Sequence, residues 1–231
     1  MSAIIKANAR QSTSVESVSE GADVFLRMLR DGSLVNANWK QAGIFKGLGR
    51  MVNVGAFSTP IVGGGAGTII DQDEPELVIA VPSGTSIMPI RIEVTCTVPL
   101  ISADANESEI LIGVDTATYA VTGSAGTTEV AYNLNGGTTG SLCNCLSAVT
   151  TAITAVPVIT MELMHKLLTA AVKGSSAGND VWGELYGLYE PESAPIIKGN
   201  AQLLVYFGGT VATSGFISAQ WLEFPSSFAA V

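Results

Sequence analysis

The sequence is poor in charge and almost without histidine. Of its 231 residues only 13% are charged and one is histidine, whereas 47% are hydrophobic. An ordinary globular domain is about 25% charged, so this chain has about half the usual charge at a normal apolar content. Such a chain buries enough apolar surface to offset its ordering entropy, which excludes an intrinsically disordered protein. We interpret the shortage of charge as a sign that other subunits cover much of the exterior.

Cysteine is also scarce, and its placement excludes a disulfide-rich scaffold. The chain has three cysteines, Cys96, Cys143 and Cys145. The count is odd, and Cys143 and Cys145 are too close in sequence for an ordinary bridge with each other. They lack the Cys-x-x-Cys spacing of a zinc knuckle as well. We therefore expect three small buried side chains in a reducing compartment, and no secretory signal peptide, because Ile4-Ile5 is too short an apolar core.

Long unbroken apolar runs are missing. Two stretches, 130–161 and 199–222, are free of charge over the thickness of a bilayer, but glycine interrupts both, and asparagine and proline interrupt the first. This pattern indicates strands and turns, so we expect no membrane span.

The arrangements that support catalysis are missing too. Residues 174–178 match Gly-x-Ser-x-Gly, but that motif requires a sharp strand-to-helix turn and a later histidine, and the only histidine, His165, precedes it. The glycine run 63–67 lacks the Gly-Lys-Ser/Thr ending of a phosphate-binding loop and indicates a hinge. We expect no enzymatic activity and no bound cofactor.

The few charges are unevenly distributed. Residues 1–50 contain seven bases and four acids, a net charge of +3, whereas residues 51–231 contain four bases and sixteen acids, a net charge of -12. This asymmetry indicates an acidic neighbour or a polyanion near the N-terminus. The bases are scattered, without the dense Arg/Lys arm that grips nucleic acid, so contact between this region and nucleic acid stays an open question.

The pattern of residue types divides the chain at residue 75. Residues 1–74 are predicted to form an N-terminal arm, a short helix over 22–31 that ends at Gly32, and an extended glycine-rich connector over 36–67. Residues 75–231 are predicted to form the body. The apolar side chains that we expect to dock on a neighbouring subunit lie in the first part: Phe25, Leu26, Met28, Leu29, Trp39 and Phe45.

The body has mainly the pattern of β-strands. Residues 90–98 alternate between apolar and polar side chains, which indicates a strand with one buried face. One stretch, 163–172, has its apolar residues at helical spacing, and Glu162 and Lys166 make an i,i+4 pair. The sequence therefore predicts an all-β antiparallel sandwich of about eight strands with one inserted helix.

An acidic cluster over 104–109 leaves two interpretations open. Four residues occupy positions 1, 3, 5 and 12 of a calcium loop (Asp104, Asn106, Ser108, Asp115), but Glu109 stands where that loop needs glycine, which excludes an EF-hand. The cluster is either a set of solvated turns or a surface calcium site at a subunit interface. The calcium ligands would be Asp104, Asn106, Glu107 and Glu109.

Two sequence segments of the body resemble those of a known family. They are residues 81–94 (VPSGTSIMPIRIEV) and the Gly/Thr-rich stretch 208–216 (GGTVATSGF). With the arm, hinge and strand-rich body, the chain resembles the single jelly-roll coat proteins of icosahedral viruses and bacteriophages. The resemblance implies two packed four-stranded antiparallel sheets and subunits that meet in a closed shell. It also implies an arm that faces inward or wraps a neighbour, and a place in the virion, assembled in the host cytoplasm.

Two hypotheses follow. The first is a self-assembling capsid subunit, whose partners are copies of itself and other virion proteins. The second is a β-sandwich module that decorates a larger particle or binds glycans through aromatic side chains. Those side chains would be Trp182, Tyr186, Tyr189 and Trp221.

Overall fold

The structure is a computed structural model and describes residues 38–64, 70–100, 105–117, 126–149, 157–171, 181–209 and 213–229. The helix predicted over 22–31, the segment 174–178 and Asp104 lie outside these residues. Within the described part of the chain, strands predominate and there is one α-helix. In chain order the elements are α1 (Trp39–Phe45), β1 (Gly49–Val54), β2 (Ile61–Val62), β3 (Leu77–Val81), β4 (Thr85–Leu100), β5 (Ala105–Asp115), β6 (Thr127–Glu129), β7 (Tyr132–Asn133), β8 (Asn144–Ser147), β9 (Met161–Ala171), β10 (Val181–Tyr189), β11 (Ile197–Lys198), β12 (Ala201–Gly209), β13 (Ser214–Pro225) and a 3-10 helix (Ser226–Ala229).

The strands form two antiparallel sheets that pack against each other. In sheet 1 the order is β10-β4-β13-β1-β7, with β11 beside β4 and β2 beside β13. In sheet 2 the order is β6-β8-β3-β12-β5-β9. Four pairings join strands that are distant in sequence: β1 with β13, β3 with β12, β4 with β10 and β5 with β9. The prediction of an antiparallel β-sandwich is confirmed.

The main core fills the space between the two sheets. Alternation along β4 sends Ile92, Val94 and Cys96 into this core, where they meet side chains of sheet 2 such as Ile79 and Val205. Because β4 has one face on the core and one outside, its sequence alternates, as predicted.

Sheet 2 is buried on both faces at its centre. A second apolar cluster covers its outer side and contains Val78, Leu204 and Tyr206, with Ile70 and Ile159 packed against it. A strand buried on both faces has no polar side, which explains the unbroken apolar run of β3 and the complete burial of β12.

Both lateral sides of the sandwich are bridged between the sheets. On one side the chain passes from β6 in sheet 2 to β7 in sheet 1 through only Val130 and Ala131. On the other side Lys166 of edge strand β9 donates from Nζ to the backbone carbonyl of Tyr186 in edge strand β10, at 2.9 Å. An edge strand with free backbone groups invites pairing with another chain, and a lysine placed against such an edge hinders it.

The inserted helix predicted over 163–172 is wrong. The segment is strand β9, which pairs with β5 from Ala105↔Ala171 to Val114↔Met161. Its Met, Leu, Glu, Lys and Ala residues are good helix formers, but the ladder to β5 satisfies the backbone along the whole strand, and tertiary context overrides propensity. A register shift between Ile112 and Gly113 further obscures the alternation in the sequence.

The segment 36–67, predicted to be an extended connector, contains helix α1 and strand β1. Strand β1 lies between β13 and β7, and its Val52 and Val54 are fully buried in the main core. The sandwich therefore includes strands that precede residue 75. The missed signal was the short alternation Val52-Asn53-Val54, which the surrounding glycines hid.

Candidate interaction surfaces

The interior of the sandwich is packed with side chains, and two of the aromatic residues proposed for glycan binding belong to this packing. Trp221 is fully buried, and its Nε1 donates to Glu223 at 3.4 Å. Tyr189 packs against the same core. Of the aromatic residues proposed for glycan binding, these two are therefore structural, whereas Tyr186 is exposed, and the side chain of Trp182 lies outside the described part of the chain.

The cysteines behave as predicted. Cys96, Cys143 and Cys145 are buried thiols. Burial raises the pKa of the Cys145 thiol to about 12 and raises the pKa of Cys143 as well. Both side chains are thus protonated at neutral pH and are small apolar groups of the core.

Helix α1 packs on one end of sheet 1. Asn38 caps its N-terminus by accepting the N–H of Gln41 at 2.8 Å. A Cβ at Gly43 would lie 2.5 Å from Leu222 Cδ1, so the helix approaches the sheet closely at this glycine. Next to it Ile44 packs on a small cluster that includes Leu222 and Phe224.

The same helix leaves two predicted interface residues outside. Phe45 is 65% exposed and Trp39 is 39% exposed. Trp39 is held in place, because its Nε1 donates to the carbonyl of Glu192 at 3.2 Å. Lys40 lies 5.6 Å from the centre of the Trp39 ring and 3.9 Å from a carboxylate oxygen of Glu190. The other four predicted interface residues (Phe25, Leu26, Met28, Leu29) lie outside the described residues.

The predicted calcium ligands are only partly described. Asp104 lies outside the described residues, Asn106 is described in its backbone alone, and Glu107 and Glu109 stand two residues apart on β5. The carboxylate of Glu109 is in contact with Nε2 of His165 on β9. Among the residues that the structure describes, no three His, Cys, Asp or Glu side chains are grouped to hold a metal.

Two buried carboxylates tie loops to the sandwich. Glu223 accepts the hydroxyl of Ser141 and the N–H of Leu142, at 2.5 Å and 2.8 Å. Glu76 accepts the N–H groups of Gly64 and Phe207, at 2.5 Å and 2.8 Å. The start of the glycine run is therefore fixed to strand β12.

The outer face of sheet 1 presents two rows of side chains across neighbouring strands. In the first row Asn53 of β1, Ser218 of β13, Glu93 of β4 and Leu188 of β10 lie side by side. Residues next to them in sequence, such as Ile217 and Val94, point into the core, so the row faces outward.

The second row contains the aromatic residues of this face. Phe216 lies beside Thr95, which lies beside Tyr186. The two aromatic side chains are 40% and 41% exposed. Between the rows there is a depression of about 280 Å³ whose lining includes Asn53, Glu93 and Ser218 as well as Phe216 and Thr95.

Two hydrogen bonds hold Glu93 on this face. Its Oε1 accepts the hydroxyl of Tyr186 at 3.0 Å and its Oε2 accepts from Arg91 at 2.9 Å. The hydrogen bond to Glu93 raises the pKa of Arg91, whose guanidinium is also 4.0 Å from Glu190. The carboxylate is thus held in one orientation while each oxygen keeps a lone pair for a further donor.

The hairpin loop beside this face carries the most exposed aromatic residue of the described chain. Phe57 is 99% exposed at the tip of a turn closed by hydrogen bonds between Ala56 and Thr59. Gly55 at its base has φ +93°, and a Cβ there would lie 2.6 Å from the Phe216 ring. The glycine therefore permits both the turn and the close approach of Phe216.

Comparison of the chain with protein-family models, with curated proteins and with solved structures found no match. Among the described residues, no helix has both the length and the apolar character needed to cross a bilayer.

Proposed function

We propose that the sandwich is a jelly roll. The eight principal strands, taken in chain order, are β1, β3, β4, β5, β9, β10, β12 and β13. In this order the first pairs with the last, the second with the seventh, the third with the sixth and the fourth with the fifth. One long antiparallel hairpin wound around a barrel produces this nesting, and the short strands β2, β6, β7, β8 and β11 are additions to it.

We further propose that the chain is a coat (capsid) subunit of an icosahedral virus or bacteriophage that self-assembles into a shell. The nested strand order is the observation that carries the proposal, because jelly rolls are the fold of many capsid subunits, as well as of lectins and cupins. Fold alone does not establish function. The interior is filled by apolar side chains such as Trp221 and Phe207. This favours a function carried by the surface of the sandwich over a ligand site inside it.

The surfaces suit assembly by many weak contacts. Both lateral sides are bridged, so neighbours would meet through faces, loops and the arm, without adding strands to a sheet. A body with few charges costs little to desolvate, and symmetric weak contacts add up to a stable shell. Trp39 and Phe45 lie on α1, just after the arm. We expect these two side chains to contact the same neighbouring subunit as the arm.

The decisive experiment is the mass and shape of the purified full-length chain, by light scattering and electron microscopy. The proposal expects large particles of uniform size with icosahedral symmetry. A chain that stays monomeric under all conditions of expression and salt would overturn it.

A matched pair of variants tests the role of α1. Trp39→Asp combined with Phe45→Asp is expected to abolish particles and leave a folded monomer, because a buried charge at an interface is not compensated. Phe57→Asp, which removes a more exposed aromatic side chain from the hairpin tip, is the control and is expected to keep particles. If only the Phe57 variant blocks assembly, the contact lies at the hairpin and the role of α1 is refuted.

A further inference from the structure

We propose that the outer face of sheet 1 binds a neutral saccharide in the depression between Phe216 and Glu93. This site is proposed independently of shell assembly, because none of the residues that line it lies on α1. It also differs from the glycan hypothesis drawn from the sequence, since it depends on Phe216 and Glu93 and leaves Trp221 in the core.

The first argument is the combination of side chains. A pyranose ring has apolar C–H faces and a rim of hydroxyls, so it needs an exposed aromatic surface beside groups that both donate and accept hydrogen bonds. Phe216 provides the aromatic surface, and Asn53, Ser218 and Glu93 provide the polar groups in a single row across three strands. All of these side chains leave the sheet on its outer face.

The second argument is preorganisation. Glu93 is fixed by Tyr186 and Arg91 before any ligand arrives, and Phe216 is confined by its close approach to Gly55. A site built on strands with its polar groups already oriented loses less entropy when it binds. Tyr186 lies two strands from Phe216, a separation of about 10 Å, so a ligand of disaccharide length would reach both rings.

The third argument is charge, which selects a neutral ligand. Residues 51–231 carry a net charge of -12, and Arg91, the cation that contacts Glu93, is already engaged by Glu93 and Glu190. An anionic sugar would meet the carboxylate of Glu93, and the guanidinium beside that carboxylate is already paired. Neutral hexoses are therefore the expected class.

The test is titration of the full-length chain, in whatever assembly it forms, with lactose, maltotetraose and cellotetraose, followed by saturation-transfer NMR and calorimetry. Concentrations up to about 10 mM are needed, because a small ligand on an open site binds in the millimolar to micromolar range. At least one of these sugars is expected to bind, and 3′-sialyllactose is expected to bind no more tightly than lactose. Absence of binding by all three neutral sugars would overturn the proposal.

Variants locate the site. Phe216→Ala is expected to weaken binding by about tenfold, the equivalent of about 1.4 kcal/mol, and Ser218→Trp is expected to abolish binding by filling the depression. Glu93→Gln, which keeps the shape of the side chain, is expected to weaken binding as well. Phe57→Ala removes an exposed aromatic residue from outside the depression and should leave binding unchanged. Sugar binding that survives both Phe216→Ala and Ser218→Trp would refute this location.

Discussion

The carboxylate of Glu76 accepts the backbone N–H of Gly64 at 2.5 Å, across the start of the glycine run. Its other oxygen accepts the N–H of Phe207 at 2.8 Å, so one side chain joins the start of the run to strand β12 of sheet 2. Burial raises the pKa of Glu76 to about 8, and this effect outweighs the two N–H donors, which lower it. The join between the N-terminal region and the sandwich is therefore expected to respond to pH.

The first prediction concerns the pH dependence of stability. A carboxyl whose pKa rises from 4.5 to about 8 on folding takes up a proton when the chain folds. Its contribution to the free energy of unfolding is largest below pH 4.5 and falls between pH 4.5 and 8, by at most about 1.4 kcal/mol per pH unit. Urea unfolding followed by tryptophan fluorescence across this range should show the decline.

Glu76→Gln isolates this contribution. The amide does not titrate. The unfolding free energy of the wild type minus that of this variant should therefore decrease as pH rises from 5 to 8. Glu192→Gln, at an exposed position, is the control for the loss of one carboxyl group, and the pH dependence of the Glu76→Gln difference is compared with it. A constant difference for Glu76→Gln would mean that the buried carboxyl does not take up a proton on folding.

The second prediction concerns the close contact of β13 with β4. A Cβ at Gly215 would lie 2.5 Å from the carbonyl oxygen of Thr95, a backbone atom that cannot move aside cheaply. Gly215→Ala should therefore lower the free energy of unfolding by about 1–3 kcal/mol, the usual cost of overpacking. Gly140→Ala is the matched control, because a Cβ at Gly140 meets nothing within 4 Å. Equal stability of the two variants, measured by thermal unfolding, would contradict this reading of the contact.

Local periodicity predicted the strands with one buried face. It failed where the conformation of a segment depends on pairing with a distant strand. Strand β4 was predicted over residues 90–98 because its sequence alternates. Strand β9 was predicted as a helix because its residues are good helix formers at helical spacing. Its strand conformation depends on the hydrogen-bonded pairing with β5. The sequence of residues 161–171 alone does not indicate that β5 is their partner.

The candidate surfaces also contain some residues that the sequence predicted and others that only strand pairing brings together. The exposure of Trp39 and Phe45 is compatible with the interface predicted for them, which stays a prediction. The polar row on sheet 1 joins Asn53, Ser218 and Glu93, three residues far apart in sequence. Pairing register brings them together, and register between distant strands cannot be derived from the periodicity of any one of them.

The third prediction concerns calcium. Glu109 is in contact with His165, so its carboxylate already has a partner and a calcium ion would have to compete for it. We expect the melting temperature of the full-length chain to be the same in millimolar calcium and in excess chelator. A higher melting temperature in calcium that Glu109→Gln removes, while Glu162→Gln does not, would establish the interfacial calcium site instead.

The fourth prediction concerns the edge formed by β9 and β10. Lys166 shares the inward face of β9 with Met164, since both lie opposite residues of β5 that point into the core, and its Nζ reaches the carbonyl of Tyr186 on β10. Lys166→Met keeps most of the apolar stem but removes the charge and the donor. We expect it to expose the edge of β10 and to promote strand-to-strand association, because an uncharged, unpaired edge pairs with other chains.

The measurement for this variant has to separate strand pairing from shell assembly. Thioflavin T fluorescence reports the cross-β contacts, and light scattering reports particles of any kind. Lys166→Met should raise thioflavin T fluorescence with increasing protein concentration and temperature. Lys198→Met, which removes an exposed lysine from β11, should behave like the wild type. If both variants raise the signal equally, the loss of one positive charge is the cause, and Lys166 has no special role in protecting the edge.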